Sequence, residues 1–417
     1  MSAHRTQVHV SAPRLTRVDE ARRIVLAQAT TLGPERVRLE DGIGRVLAQD
    51  VIAEASLPPF DNSAMDGYTV RSADTAGASR EQPVRLKLVG KVAAGQTLER
   101  EVNRGEAAKI MTGAPLPIGA DSVVMLEEAR FRDGIVEIRS PVAPGSHIRK
   151  VGEDIPAGNS VLTAGSRIRL QHLGLLAGLG YATLPVYRSP TVVVLATGSE
   201  LVNIDEPLAP GKIRNSNGLV LAALLRQLGI QPLDLGTAVD ERVRIQRKLQ
   251  EAAASDVILI SGGVSVGEHD LVKRILRDLG MEIFFWRVNM KPGKPLLFGR
   301  WRGKVIFGLP GNPISCVVCF LEFISPFLRK VMGERDVDQG RVHARLTQSI
   351  RKKEPRRQLF TAKLEEDQGG LSVTPTPQQG SGMLNSLAQA NAFIVVPEET
   401  MRLEASDLVE VLPLWGD

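Results

Sequence analysis

Three short loops carry the residue types that phosphate chemistry needs, and each follows an apolar run. Thr197-Gly198-Ser199-Glu200 follows residues 191–196. Ser261-Gly262-Gly263-Val264-Ser265-Val266-Gly267 follows residues 257–260, and Leu309-Pro310-Gly311-Asn312-Pro313 follows residues 305–307. A glycine-rich turn ahead of a helix lets backbone N–H groups approach a phosphate, and the helix dipole favours the anion. Gly262, Gly263 and Ser265 are the candidate cradle; a tight turn with no ligand is the competing reading. The spacing is neither GxGxxG nor GxxxxGK[ST], which argues against a simple dinucleotide fingerprint or P-loop.

Carboxylates gather at the same loops: Glu200, Asp240, Glu268 and Asp270. Opposite a phosphate cradle, such a cluster suits Mg²⁺, which takes carboxylates together with substrate phosphates. Asp240 and Asp270 also stand just before the helical stretches 242–254 and 271–279, where a carboxylate caps a helix, so capping is their competing role. Lys291 and Lys294 lie in Lys291-Pro292-Gly293-Lys294-Pro295, preceded by Arg287. Two prolines stiffen that loop, and its fixed positive charges suit an anion.

The elements that must position these loops follow from periodicity. Residues 188–332 alternate strands (191–196 and 257–260, both continuously apolar, and 232–235) with helices (217–228, 242–254, 271–279). Strands buried on both faces and separated by helices imply a doubly wound α/β sheet, with ligands beyond the carboxyl ends of its strands. Residues 51–150 read as a β-rich inserted domain, with strands at 84–89, 123–126 and 135–138. Residues 1–50 and 151–187 form a helical and extended linking domain. In it Thr16 is read as the cap of a helix whose apolar face carries Val18, Ala21 and Val25. Residues 333–417 read as a small terminal β-barrel, strands 393–396 and 408–412 being the clearest.

Composition limits the function classes. The 417 residues are 43% hydrophobic and 24% charged, and the net charge is 52 − 47 = +5. No long basic run is interleaved with aromatics, which argues against nucleic acid as a partner. Neither an apolar stretch of signal-peptide length at the start nor a membrane-spanning run is present, so a cytoplasmic protein with no membrane partner is expected. The only cysteines, Cys316 and Cys319, are spaced C-x-x-C inside the apolar run 314–328. No further pair of ligands completes a zinc site, so both are read as buried core residues.

Eight segments, in order, resemble the molybdopterin molybdenumtransferases, the MoeA family, to which the carboxyl-terminal domain of gephyrin is related. They are FDNSAMDGY (60–68), MTGAP (111–115), GED (152–154), TGSE (197–200), SGGVSVGEHD (261–270), KPGKP (291–295), LPGNP (309–313) and QGS (379–381). The resemblance runs from about residue 15 to the end. It implies a four-domain homodimer that inserts molybdenum from molybdate into adenylylated molybdopterin with release of AMP and a requirement for Mg²⁺. A molybdopterin adenylyltransferase and the molybdoenzymes that accept the product are the further partners implied.

The resemblance also assigns roles. Glu200, Asp240 and Asp270 are the expected metal-organising and catalytic carboxylates. Asp66 and Thr112 are expected catalytic positions on the insert, facing the cleft of the partner subunit. Arg149, Gly262, Gly263, Ser265, Arg287, Lys291, Lys294, Pro310, Asn312, Pro313 and Ser381 are the expected substrate contacts. Three departures stand out: Ser199 where many relatives have Asp, Arg287 where some have Lys, and Ala362 where a basic residue is expected and Lys363 is the nearest substitute. The alternatives are an adenylyltransferase-like enzyme, which would need the α/β domain alone, and a non-catalytic molybdopterin-binding or scaffold paralogue. The insert motifs favour insertion over the first. A scaffold of gephyrin's kind would carry a long linker and a second enzyme domain.

Overall fold

The computed structural model describes residues 15–264, 271–338 and 340–414. Its centre is a six-stranded sheet in the order Leu233–Ala238, Val192–Thr197, Val257–Ser261, Lys304–Leu309, Leu297–Trp301, Glu282–Trp286. The first four strands are parallel, Leu297–Trp301 runs antiparallel to both of its neighbours, and Glu282–Trp286 again runs in the direction of the first four. Val192–Thr197 and Val257–Ser261 are buried along their whole length, as their uninterrupted Val/Ile/Leu runs require of strands covered on both faces. From Val192–Thr197 the chain goes first to one neighbour, Leu233–Ala238, and then to the other, Val257–Ser261. That reversal puts the topological switch point between the TGSE and SGG loops.

Few aromatics exist, and they are concentrated here. Phe298 stacks on Phe307 at 4.8 Å, and Phe327 meets Phe307 edge-on at 5.5 Å. All three are at least 99% buried, each contributing roughly 2–3 kcal/mol of burial. Cys316 and Cys319 lie in the same core as free thiols. Burial pushes the Cys316 thiol up to about 12, and that of Cys319 well above its ordinary value. Both stay protonated, as core residues rather than metal ligands. They lie on one helical run, Pro313–Cys319, Phe320–Ile324 and Ser325–Val331, whose middle turn is a π-helix.

The amino-terminal helix is Val18–Ala27, with Val18, Ala21 and Val25 fully buried. Thr16 does not cap it. The Thr16 N–H instead donates to the Arg287 carbonyl, and the free Val18 N–H is taken by Glu398 Oε1 at 3.1 Å. A carboxylate from the far end of the chain thus does what a local hydroxyl was expected to do, and it also favours the helix dipole. The helix packs into the α/β core against Ser325–Val331. Elsewhere in the linking segments, Pro34–Arg38 pairs with Thr183–Tyr187, and Val51–Ile52 with Ser160–Leu162.

Between those pairs lies a six-stranded mixed sheet, Ser122–Met125, Gly67–Val70, Glu106–Ile110, Val84–Val92, Ile135–Ile138 and Ala129–Arg132. The carboxyl-terminal strands close a five-membered ring: Arg357–Asp367, Gly370–Pro375, Val342–Leu346, Leu408–Pro413, Ala392–Val396 and back to Arg357–Asp367. A sixth, short strand, Met290–Lys291, leaves the α/β region and adds in parallel to Arg357 and Gln358. It carries the KPGKP loop onto the barrel.

Candidate active site

At the switch point the three strand-end loops enclose a cavity of about 720 Å³. Thr197, Gly198, Glu200, Asp240, Gly262, Gly263, Pro310, Asn312 and Pro313 line it, with Asn217 from the start of helix Ser216–Gln227. Asn215 caps that helix by accepting from the Gly218 N–H at 3.0 Å. The Asn217 amide then bridges two loops, donating to Ser261 Oγ at 2.9 Å and to the Gly311 carbonyl at 2.8 Å.

The glycines are steric necessities at two positions. Gly262 has φ +95°, and a Cβ there would sit 2.2 Å from the Thr197 carbonyl oxygen. Gly263 has φ +65°, and its Cβ would meet Val272 Cγ2 at 2.4 Å. The Gly262 N–H is already given to the Leu309 carbonyl at 3.0 Å, so Gly262 serves close packing. Gly263 N–H carries no bond among the described residues, and the buried Thr197 hydroxyl beside it has no partner either. Two unspent polar groups facing a glycine-lined cavity suit an anionic ligand. Ser265 and Asp270 lie outside the described residues.

Asp240 does not cap the helix Arg242–Glu251, whose N-cap position is held by Glu241. Its carboxylate accepts from the Ser199 N–H at 3.2 Å, while the Ser199 hydroxyl accepts from the Asp240 N–H at 3.0 Å. Serine at 199 therefore latches the two strand ends together. Glu200 folds back over Gly198, where a Cβ would lie 2.6 Å from Glu200 Oε2. Among the described residues no ion pair claims either carboxylate, and no cluster of three potential metal ligands occurs. Two carboxylates with unspent oxygens beside a phosphate-type cradle are the donor set Mg²⁺ uses when substrate supplies the rest.

A second cavity, of about 280 Å³, adjoins the first and shares Pro295 and Asn312 with it. Its walls come from the KPGKP loop with Lys291 and Lys294, from the barrel with Arg356, Gln358 and Thr361, and from Gln379-Gly380-Ser381. The Asn312 amide donates to Ser381 Oγ at 3.0 Å, and Ile314 N–H to the Ser381 carbonyl at 3.1 Å, which pins the QGS loop to LPGNP. Sequence reasoning missed Arg356. Ala362 is fully buried in the barrel core, and Lys363 is exposed and paired with Glu365 at 2.5 Å, so Lys363 does not replace the expected base. Arg356 is the basic residue from this strand region that lines the cavity, with Glu354 2.6 Å away. Only the fold reveals it, because the parallel pairing of Lys291 with Gln358 brings the two segments together.

Arg287 lines neither cavity. Its backbone has φ +76° and its guanidinium stacks on the Trp286 indole at 3.8 Å. Asp66, Thr112 and Arg149 also lie outside both linings. Asp66 and Thr112 do sit together on the insert: the Thr112 N–H and hydroxyl donate to Asp66 Oδ1 at 2.7 and 2.8 Å. Those two bonds, the backbone one foremost, hold the Asp66 carboxyl below its ordinary value. Arg149 pairs in register with Asn62 and borders a separate surface hollow with Glu153 and Asp154.

Comparison with known proteins covers nearly the whole chain. Residues 16–180 match the MoeA N-terminal region (domain I and II), 193–330 a probable molybdopterin binding domain, and 343–414 the MoeA C-terminal region (domain IV). The molybdopterin molybdenumtransferase of Bacillus subtilis is 38% identical over 400 residues, covering 95% of this chain and 93% of its own. Molybdopterin molybdenumtransferase 2 of Mycobacterium tuberculosis is 39% identical over 405 residues, covering 95% and 99%. The crystal structure of a molybdopterin biosynthesis MoeA protein from Pyrococcus horikoshii superposes with a TM-score of 0.84 at 34% identity, over 97% of this chain and all of that one.

Proposed function

The chain belongs to the molybdopterin molybdenumtransferase family, and on that premise we propose how its two cavities divide the reaction. As a member it is an enzyme that inserts molybdenum into molybdopterin in molybdenum cofactor synthesis. The observation that carries the proposal is the contact of two unlike cavities at Pro295 and Asn312, one glycine-lined and acidic, the other basic. The larger receives adenylylated molybdopterin, its phosphates against Gly263 and Thr197. The smaller receives molybdate, whose negative charge is matched by Lys291, Lys294 and Arg356, with the Ser381 hydroxyl as a further donor.

Glu200 and Asp240, with Asp270, would hold Mg²⁺, which would neutralise phosphoanhydride charge as AMP departs. The chain's own contribution is positioning and charge. Asn312 and Pro295 form the shared wall, keeping the oxyanion beside the bound pterin. Transfers at phosphorus depend mainly on such placement, so no side-chain nucleophile is needed. Asp66, Thr112 and Arg149 line neither of these two cavities in their own chain, and we place them in the cleft of a second copy, within a homodimer. A molybdopterin adenylyltransferase upstream and molybdoenzyme acceptors downstream are the partners this reaction requires. We assign the protein to the cytoplasm on its two free, buried thiols. Among the described residues no helix is long and apolar enough to cross a membrane.

Reconstitution tests the reading. Purified protein with adenylylated molybdopterin, Mg²⁺ and molybdate is expected to release AMP and metal-loaded cofactor. Lys294→Ala should raise the molybdate KM on the order of thirtyfold and leave the pterin KM within about twofold, as loss of one charge-assisted contact of about 2 kcal/mol implies. A folded protein that binds the pterin yet turns over neither molybdate nor tungstate would refute the transferase reading in favour of a binding paralogue.

A further inference from the structure

Behind the smaller cavity lies a buried knot of hydroxyl groups. Thr361 Oγ1 is 2.6 Å from Thr376 Oγ1 and 2.9 Å from Ser386 Oγ, and the latter two are 2.7 Å apart. All three residues are over 90% buried. The Gln379 side chain is woven into them. Its Nε2 donates to the Thr361 and Thr376 carbonyls at 2.9 Å each, and its Oε1 accepts from the Thr361 N–H at 3.1 Å. The Gln378 carbonyl lies within bonding distance of Ser386 Oγ and Thr376 Oγ1, at 2.6 and 3.1 Å, so the one proton of each hydroxyl is shared among several acceptors.

We propose that Thr376, Ser386 and Gln379 are positioning residues for the oxyanion, acting by fixing the QGS loop so that Ser381 presents its hydroxyl to the cavity. The inference rests on the smaller cavity being the molybdate site. Gln379 lines that cavity, but both of its amide ends are already spent on the knot, so it offers the ligand little of its own. Its work is to anchor the backbone two residues before Ser381. From the other side Asn312 donates to Ser381 Oγ, occupying an acceptor site and leaving the Ser381 O–H to point elsewhere. Thr361 belongs to the strand Arg357–Asp367, whose first residues pair with Met290–Lys291. The knot therefore joins the barrel wall, the lysine loop and the QGS loop. A network of this kind holds only when every member is satisfied, since a half-satisfied buried network leaves its remaining groups without partners.

The isosteric pair Thr376→Val and Thr376→Ser separates positioning from packing, because Val keeps the volume and Ser keeps the hydroxyl. Thr376→Val should raise the molybdate KM about tenfold, the low end of what loss of a supporting contact costs at metal sites, with the pterin KM and kcat nearly unchanged. Thr376→Ser should return the molybdate KM to within about twofold of the parent. If Thr376→Val does not fold, Ser386→Ala carries the same expectation, with melting temperature as the check on folding. An unchanged molybdate KM in folded Thr376→Val, or equal loss in Thr376→Ser, overturns the proposal. So does a parallel rise of both KM values. Lys294→Ala distinguishes the two levels. If it too leaves the molybdate KM unchanged, the oxyanion reading falls and takes this one with it; if only Thr376→Val is silent, this one falls alone.

Discussion

The larger and smaller cavities touch at Pro295 and Asn312 yet are built by different routes. The larger is made mostly by loops that leave one sheet at one switch point, each starting at the end of a strand that is buried along all or nearly all of its length. The smaller is a seam, with one wall from the α/β region and two from the barrel, held by the pairing of Met290–Lys291 with Arg357 and Gln358 and by the bonds of Asn312 and Ile314 to Ser381. The difference teaches where each is fragile. The larger depends on backbone geometry at a few glycines. The smaller depends on long-range contacts between segments about 65–90 residues apart.

Gly262→Ala should break the comparison hardest. Its Cβ would meet the Thr197 carbonyl at 2.2 Å and its φ of +95° is unfavourable for alanine. The combined overpacking and backbone strain should cost about 3 kcal/mol locally. Pterin binding, followed by fluorescence titration, should fall by on the order of a hundredfold. Molybdate binding to the smaller cavity, followed by calorimetry, should persist. Loss of both ligands together would mean that the cavities are one cooperative site and not two.

That asymmetry also decides what was legible in the sequence. The doubly wound sheet, its helices and the strand-end loops could be read because aliphatic runs and glycine turns are local signals. Thr16 failed as a cap because its rival, Glu398, lies 380 residues away and only the fold brings it to Val18. Asp240 kept two readings open, because a carboxylate ahead of a helix suits capping and a ligand site equally. Its exchange of bonds with Ser199 decides against capping, through a contact that no periodicity encodes. Arg356 was hidden among Arg351, Lys352, Lys353 and Arg357, and nothing local separates the cation that lines a cavity from one paired elsewhere, as Arg357 is with Asp19 at 2.7 Å. The hydroxyl knot was invisible for the same reason, since Thr361, Thr376 and Ser386 are ordinary residues until the barrel closes.

Subunit mixing sharpens the comparison by asking what completes the larger cavity. Asp66→Ala and Asp240→Asn should each be nearly inactive alone. When the two are unfolded, mixed in equal amounts and refolded, half of the dimers should be mixed, each with one site free of both substitutions. Activity should then return to about a quarter of the parent's, the share expected of a two-fold assembly whose sites are built across the interface. No recovery, with mixed dimers verified by mass, would place Asp66 in the service of its own chain.

The smallest expected effect is a shift in pH dependence at Asp66. The Thr112 N–H and hydroxyl hold its carboxyl below the ordinary range, the backbone bond being the larger cause. Thr112→Val removes the hydroxyl and keeps the N–H, so the Asp66 carboxyl should move up, but not all the way. A carboxylate whose folded-state value is depressed lends its support above its unfolded value and loses it as pH falls through the folded one. If the ionised form is what the partner's cleft uses, the acid limb of kcat/KM moves to higher pH in Thr112→Val, while the alkaline limb and the rate near neutrality stay in place. Asp66→Asn should abolish that limb along with most of the rate. An acid limb that does not move in Thr112→Val would show that a group other than Asp66 sets it.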